Sequence, residues 1–448
     1  MSSYKVKETP GNTTWFTHDR FGMFIHFGLY SMPARGEWIM SRERIKIEDY
    51  KEKYFKHFNP DMFDAKKWAK SAKDAGMKYA VLTTKHHEGF CLFDSKYTDY
   101  KITNTPFGRD LVKEFVDAFR AEGLKIGFYY SLLDWENENF PIDINHPRQW
   151  YEDAKKLDEG RDMKKYVEYM KNQLTELMTN YGKIDILWAD YSYSELPDWA
   201  EIRIKNNPWM QFGGLKGKDQ WQSEELINHV RSMQPEIIIN NRLEIEQDII
   251  TPEQWQPTDW ITDKETGEKV VWETCQTFSG SWGYHRDEHT WKSPKMLIDM
   301  LVNTVSCGGN LIMNVGPTSR GYFDKRAEDA LKVYENWMKY NSRSIYGCTM
   351  AEPEFKAPRG TRLTQTEDGK RLYIHLIEYP YANLVVENIA DKLTYAQFLH
   401  DGSEVIYEGD TDLHTYLSVE MDGENSVKFK IPPYQLDMID PVIEVFLK

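Results

Sequence analysis

Asp190 stands at the end of an apolar run, Ile184-Asp185-Ile186-Leu187-Trp188-Ala189. A carboxylate in that position either caps the next element or faces a substrate. The chemistry it could do is glycoside cleavage, which needs two carboxyl groups flanking the anomeric carbon, ~5–5.5 Å apart in a retaining enzyme. Glu37, Glu253 and Glu273 compete for the second place. Glu253 lies in a loop-like stretch, Ile249-Ile250-Thr251-Pro252-Glu253-Gln254, where an acid could reach a leaving oxygen. Glu273 follows Trp272 on a strand, where burial would raise its pKa, as a general acid requires.

Three histidines also follow apolar runs: His26, and the adjacent pair His86-His87. One reading is a metal-dependent barrel hydrolase. Neighbouring residues on a strand point to opposite faces, so an adjacent pair is poor for one metal, and His-x-His would suit better. Imidazole both donates and accepts hydrogen bonds, so contact with sugar hydroxyls fits these residues, and no metal or other cofactor is expected. Arg242, after two asparagines, could bind a hydroxyl or hold a carboxylate ionised. Trp38, Trp188 and Trp282 could wall the apolar parts of a sugar, although tryptophans serve as core more often.

These residues need a frame that brings strand ends together. The first three-quarters of the chain repeats an amphipathic helix, a glycine and an apolar strand. Asp64 and Asp110 open two of the helices, and Gly76, Gly123 and Gly182 follow three. Seven strands are readable: 22–28, 78–85, 125–131, 184–190, 236–242, 270–276 and 310–316. Continuous apolar runs suit parallel strands buried on both faces. Serial units without a glycine-rich dinucleotide fingerprint predict a (β/α)8-like barrel, with the eighth strand not evident. Beyond residues 342–347 the texture turns to short alternating runs with an Asp401-Gly402 turn, which predicts a small antiparallel β-sandwich. The expected division is a barrel over residues 1–345 and a sandwich over 346–448.

Composition narrows the partners. The 448 residues carry 71 acidic against 56 basic side chains, a formal net charge of −15. With no basic stripe, the summed field repels phosphates and argues against nucleic acid and anionic lipid. Four scattered cysteines form neither a disulfide framework nor a zinc ribbon. The opening residues have no apolar leader pattern and no run is long enough to span a bilayer, which predicts a soluble, cytoplasmic protein. Assembly as a homo-oligomer is left open.

Ordered motifs add a resemblance. Phe21-Gly22-Met23-Phe24-Ile25-His26-Phe27-Gly28-Leu29-Tyr30-Ser31 with Glu37-Trp38 resembles the opening of glycoside hydrolase family 29, the α-L-fucosidases. Lys85-His86-His87-Glu88-Gly89-Phe90, Tyr129-Tyr130-Ser131 with Asp134-Trp135, and Tyr181 through Asp190 follow in that family's order. So do Trp272-Glu273-Thr274-Cys275, Ser281-Trp282-Gly283-Tyr284 and Gly308 through Pro317. The matches run from about residue 15 to about 320.

The resemblance implies an irregular barrel and a retaining exo-α-L-fucosidase acting on fucosylated oligosaccharides, with Asp190 as nucleophile. It implies a sugar pocket lined by His26, Glu37, Trp38, His86, His87, Arg242 and one tyrosine of the 129–130 pair, taken as Tyr130. Glu253 and Glu273 both match family glutamates, and Glu253 is preferred as acid/base because the same loop carries Arg242. Two residues depart from the pattern: Phe27 stands where the family commonly has Trp, and Tyr191 where Gly often follows the nucleophile. The stretch 191–221 is expected to shape the leaving-group side. A fucose-binding protein without catalysis is the alternative of a different class.

Overall fold

The computed structural model describes residues 4–196, 200–408, 425–434 and 436–448. Seven strands form one parallel sheet: β1 (Phe21–Ile25), β2 (Tyr79–Lys85), β3 (Lys125–Ser131), β4 (Ile186–Asp190), β5 (Ile238–Ile239), β6 (Glu273–Thr277) and β7 (Asn310–Val315). Their order is β5-β4-β3-β2-β1-β7-β6. The sheet curls, with helices covering its outer face, so that both faces of the continuous apolar runs are buried. Those helices start where the sequence caps them. The Asp64 carboxylate accepts from the backbone N–H of Lys66 and Lys67, that of Asp110 from Lys113 and that of Asp162 from Lys164. Gly76 follows the first of these helices with φ +83°, a conformation that costs glycine little.

The gap between β5 and β6 is bridged by irregular backbone. Asn240 pairs with Ile249, Ile250 with Trp272 and Glu253 with Cys275, each parallel. The Ile250 N–H donates to Val271 O at 3.1 Å, and the Cys275 N–H donates to Pro252 O at 3.1 Å. Segment 249–253 therefore does the work of the eighth strand, although it forms single bridges rather than a ladder. Its Thr251-Pro252-Glu253 carries no apolar run, and Pro252 has no N–H to donate. Both facts explain why no pattern announces it.

Side chains alternate across the barrel wall. Phe24, Tyr129, Ile186 and Trp188 pack inside with Ile249, Val271 and Cys275. Met23, Ile25, Phe128, Tyr130 and Leu187 face the helices. This period of two decides which residue of each strand end can reach the barrel mouth.

After the helix Lys325–Asn341, the chain forms antiparallel sheets. Five strands lie in the order β12-β15-β10-β9-β8: β8 (Cys348–Met350), β9 (Arg362–Thr366), β10 (Arg371–His375), β12 (Leu393–Phe398) and β15 (Val442–Leu447). A second sheet joins β11 (Asn383–Val386), β14 (Val427–Lys430) and β13 (Tyr407–Glu408). Ile374, Val386, Phe429 and Val445 from the two sheets share one core. Among the described residues no helix is long and apolar enough to cross a membrane, and all four cysteines are buried and unpaired.

Candidate active site

The strand ends converge on a cavity at the barrel mouth. It is lined by His26, Glu37, Trp38, His86, His87, Trp188, Asp190, Arg242, Glu253 and Trp282, together with Phe24, Tyr129, Tyr191 and Cys275. The sequence-predicted residues absent from this wall are Tyr130 and Glu273.

Asp190 ends β4 on its inner face. Its Oδ2 accepts from the Tyr129 hydroxyl at 2.7 Å and its Oδ1 from Arg242 Nη1 at 3.0 Å. Burial and the nearby Glu253 carboxylate push its pKa up, against the pull of Arg242 and of the Tyr129 hydroxyl. Both acceptor oxygens are thus held by donors that favour the ionised form. Arg242 also reaches Glu253, Nη2 to Oε2 at 2.8 Å. Its guanidinium lies 4.7 Å above the Trp188 ring, which fixes its plane. One cation therefore joins the two carboxylates. They differ in access: the Asp190 side chain is 13% exposed and that of Glu253 is 41% exposed.

The hydrogen-bond partners fix the histidine tautomers. Asn314 Nδ2 donates to Trp282 O at 2.7 Å, so its Oδ1 is the acceptor for His26 Nδ1–H, also at 2.7 Å. Ser131 Oγ donates to Leu133 O at 2.9 Å, so it accepts from His87 Nδ1–H at 2.7 Å. Burial pushes His26 down to about 3 and His87 well below the usual imidazole range, which keeps both neutral. Each presents Nε2 as a lone pair, suited to accept a hydroxyl proton. His86 and His87 both face the cavity, their rings 4.1 Å apart. The expectation that they point to opposite faces fails because β2 ends at Lys85 and the pair sits in the following turn. Among the described residues no three His, Cys, Asp or Glu side chains converge as metal ligands.

Glu37 accepts from Gly283 N–H at 2.8 Å, which ties the segment after β1 to the segment after β6. Trp38 packs on His87 at 4.8 Å and Trp282 on His26 at 5.1 Å between ring centres.

Two placements correct the sequence reading. Tyr130 lies on the outer face of β3, where its hydroxyl donates to Gln173 at 2.8 Å and Lys85 sits 4.4 Å over its ring. Tyr129, one residue earlier, points inward and meets Asp190. The alternation from Gly127 through Ser131 could have decided this. Glu273 shares the inner face with Cys275 but lies two residues deeper, a rise of roughly 6.6 Å below it. There it is fully buried and accepts from the Tyr79 hydroxyl and from Trp188 Nε1. Phe24 and Cys275 were missed for the same reason in reverse. Each shares an inner face with a residue already singled out, His26 and Glu273.

Comparisons with known proteins give the family. The sequence profile described as alpha-L-fucosidase matches residues 2–343. The chain belongs to the α-L-fucosidase family, glycoside hydrolase family 29. It is a glycoside hydrolase of that class. A Dictyostelium discoideum alpha-L-fucosidase is 30% identical over 82% of this chain and 78% of its own length. The human plasma alpha-L-fucosidase is 31% identical over 74% and 68%. Among solved structures, alpha-L-fucosidase isoenzyme 1 from Paenibacillus thiaminolyticus superposes with a TM-score of 0.86 at 42% identity, covering 97% of this chain and 98% of its own. A Bacteroides thetaiotaomicron family member, trapped as a covalent intermediate with 2-fluoro-fucosyl fluoride, gives 0.77 at 27% identity, covering 100% and 99%.

Proposed function

We propose that this enzyme is a retaining exo-α-L-fucosidase that removes terminal α-linked L-fucose from oligosaccharides or glycoconjugates, with Asp190 as nucleophile and Glu253 as acid/base. The observation that carries the reading is the single guanidinium of Arg242 donating to both carboxylates at the wall of one cavity. A pair so linked faces one cavity, as glycoside cleavage by two carboxyl groups requires, and the trapping of a related Bacteroides enzyme as a covalent intermediate supports double displacement.

In the first step an Asp190 carboxylate oxygen bonds to the anomeric carbon as the bond from that carbon to the leaving oxygen breaks. Glu253 supplies the proton that the leaving oxygen takes. In the second step Glu253 accepts a proton from water, whose oxygen bonds to the anomeric carbon and releases Asp190. Neutral His26 and His87 offer acceptors for the sugar hydroxyls, while Phe24, Trp188 and Trp282 supply an apolar niche for the C5 methyl group. Burial raises the pKa of the nucleophile, and Arg242 and Tyr129 oppose that rise.

Incubation with 2-fluoro-fucosyl fluoride followed by peptide mass spectrometry tests the reading. The expected result is one fucosyl adduct on the peptide containing Asp190, together with α-L-fucose as the first anomer released from substrate, seen by NMR. A label elsewhere, or β-fucose as first product, overturns it.

A further inference from the structure

The residue after the nucleophile has a costly backbone. Tyr191 has φ +82°, in the left-handed region where a side chain with a β-carbon is strained. Strain kept beside a reactive group points to a use for the side chain. The Tyr191 ring lies 5.0 Å from His87, 5.2 Å from Trp38 and 5.5 Å from Tyr193. It lines the catalytic cavity and also a second groove beside it, and Arg242 is the other residue the two share. The groove is lined by Ile144, itself buried, and by the amide side chains of Asn145 and Asn241. Thr251 donates both its N–H and its hydroxyl to Asn241 Oδ1, which fixes the side chain of Asn241 against the seam.

We propose that this groove is the leaving-group subsite and that Tyr191 is its specificity-determining residue, the platform for a second pyranose ring. The reading rests on the fucosidase assignment above. A flat aromatic ring with amides at its rim matches a hexose or N-acetylhexosamine, which has a C–H face to stack and hydroxyls or an acetamido group to hydrogen-bond. Placed on the shared wall, Tyr191 orients that ring so that its glycosidic oxygen lies over Asp190 and within reach of Glu253.

The test compares two substrates in wild type, Tyr191→Phe and Tyr191→Gly. One is α-L-fucosyl fluoride, whose leaving group fills no groove. The other is an α-L-fucosyl-N-acetylglucosamine disaccharide. Glycine relieves the left-handed strain, so Tyr191→Gly is expected to fold, and a thermal melt checks this. The expected result is a kcat/KM for the disaccharide that falls at least about tenfold more than that for the fluoride in Tyr191→Gly, with the ratio restored within about threefold in Tyr191→Phe. Equal losses on both substrates, or an unchanged ratio, overturn the subsite. Wild-type enzyme that turns over neither substrate overturns the fucosidase assignment instead, so the two failures are distinguishable.

Discussion

The two carboxylates that Arg242 joins stand on backbones of different kinds. Asp190 ends a regular strand whose neighbours β3 and β5 are ladder-paired, and its register against Ser131 is fixed by that ladder. Glu253 sits on the seam between β5 and β6, where isolated bridges replace a ladder and Pro252 removes a donor. The regular side holds a nucleophile in one place, with two donors committed to it. The seam holds a more exposed carboxylate whose partner in this structure is a guanidinium with a second client. A nucleophile must be fixed relative to carbon, whereas an acid/base must serve a departing oxygen and then a water. The difference in backbone matches that difference in task.

Breaking the regular side has the largest expected effect. Asp190→Gly removes the attacking group and leaves the seam intact, and kcat on an aryl α-L-fucoside is expected to fall by about 10⁴-fold or more. Steady-state kinetics checks this, and turnover near wild type removes Asp190 from its role.

Breaking the seam is expected to cost less and to depend on the leaving group. Glu253→Ala should lower kcat by about 10²–10⁴-fold on a poor leaving group and much less on an activated one, because only the former needs the proton. Azide, entering the space of the lost carboxylate, should restore turnover and yield a fucosyl azide. Absence of rescue here, with rescue in Glu273→Ala, would transfer the role to Glu273.

Arg242→Lys tests the link between the two sides. An ammonium cannot reach both carboxylates with a planar fork. About 10–100-fold loss in kcat/KM is expected. The sign of the pH effect also follows: Arg242 lowers the pKa of Asp190, so its weakening raises that pKa and moves the acid limb of the pH–rate profile to higher pH. A pH series on both enzymes reads this directly, and an unmoved limb means that Arg242 does not tune the nucleophile.

What could be read in advance divides along the same line. Strands β1 to β4 announce themselves by apolar runs ending in His26, the residues before His86, Tyr129-Tyr130 and Asp190, and the resemblance follows those runs. Period-two alternation would have chosen Tyr129 over Tyr130, since Tyr129 shares its face with Ser131, whose Oγ holds His87. The seam is silent because its hydrogen bonds come from backbone that no side-chain pattern marks. Depth is silent too: Glu273 and Cys275 are the same face of the same strand, and only the closed barrel reveals that one is at the mouth and the other a layer below. Residues 197–199, within the stretch expected to shape the leaving-group side, lie outside the described residues.

That layer gives the smallest expected effect and the sharpest contrast between the two glutamates. Burial raises Glu273 to about 7, although the Tyr79 hydroxyl and the Trp188 indole both favour its charge. Its folded pKa thus lies above that of an unfolded glutamate, and the folded state binds the proton more tightly. The stability this contributes is complete below about pH 4.5 and is lost as pH rises through about 7. Glu273→Gln keeps an acceptor for Trp188 and never ionises, so it escapes that loss. Relative to wild type, the variant should therefore gain stability between pH 5 and pH 8, on the order of a few kcal/mol at most, while kcat on an aryl fucoside stays within about threefold. Denaturant melts of both proteins across that range check the first claim. A flat difference means that Glu273 is ionised in the folded barrel at both ends of the range. A collapse of kcat without loss of stability would instead mean that the buried carboxylate acts on the reaction through Trp188, the ring on which Arg242 rests.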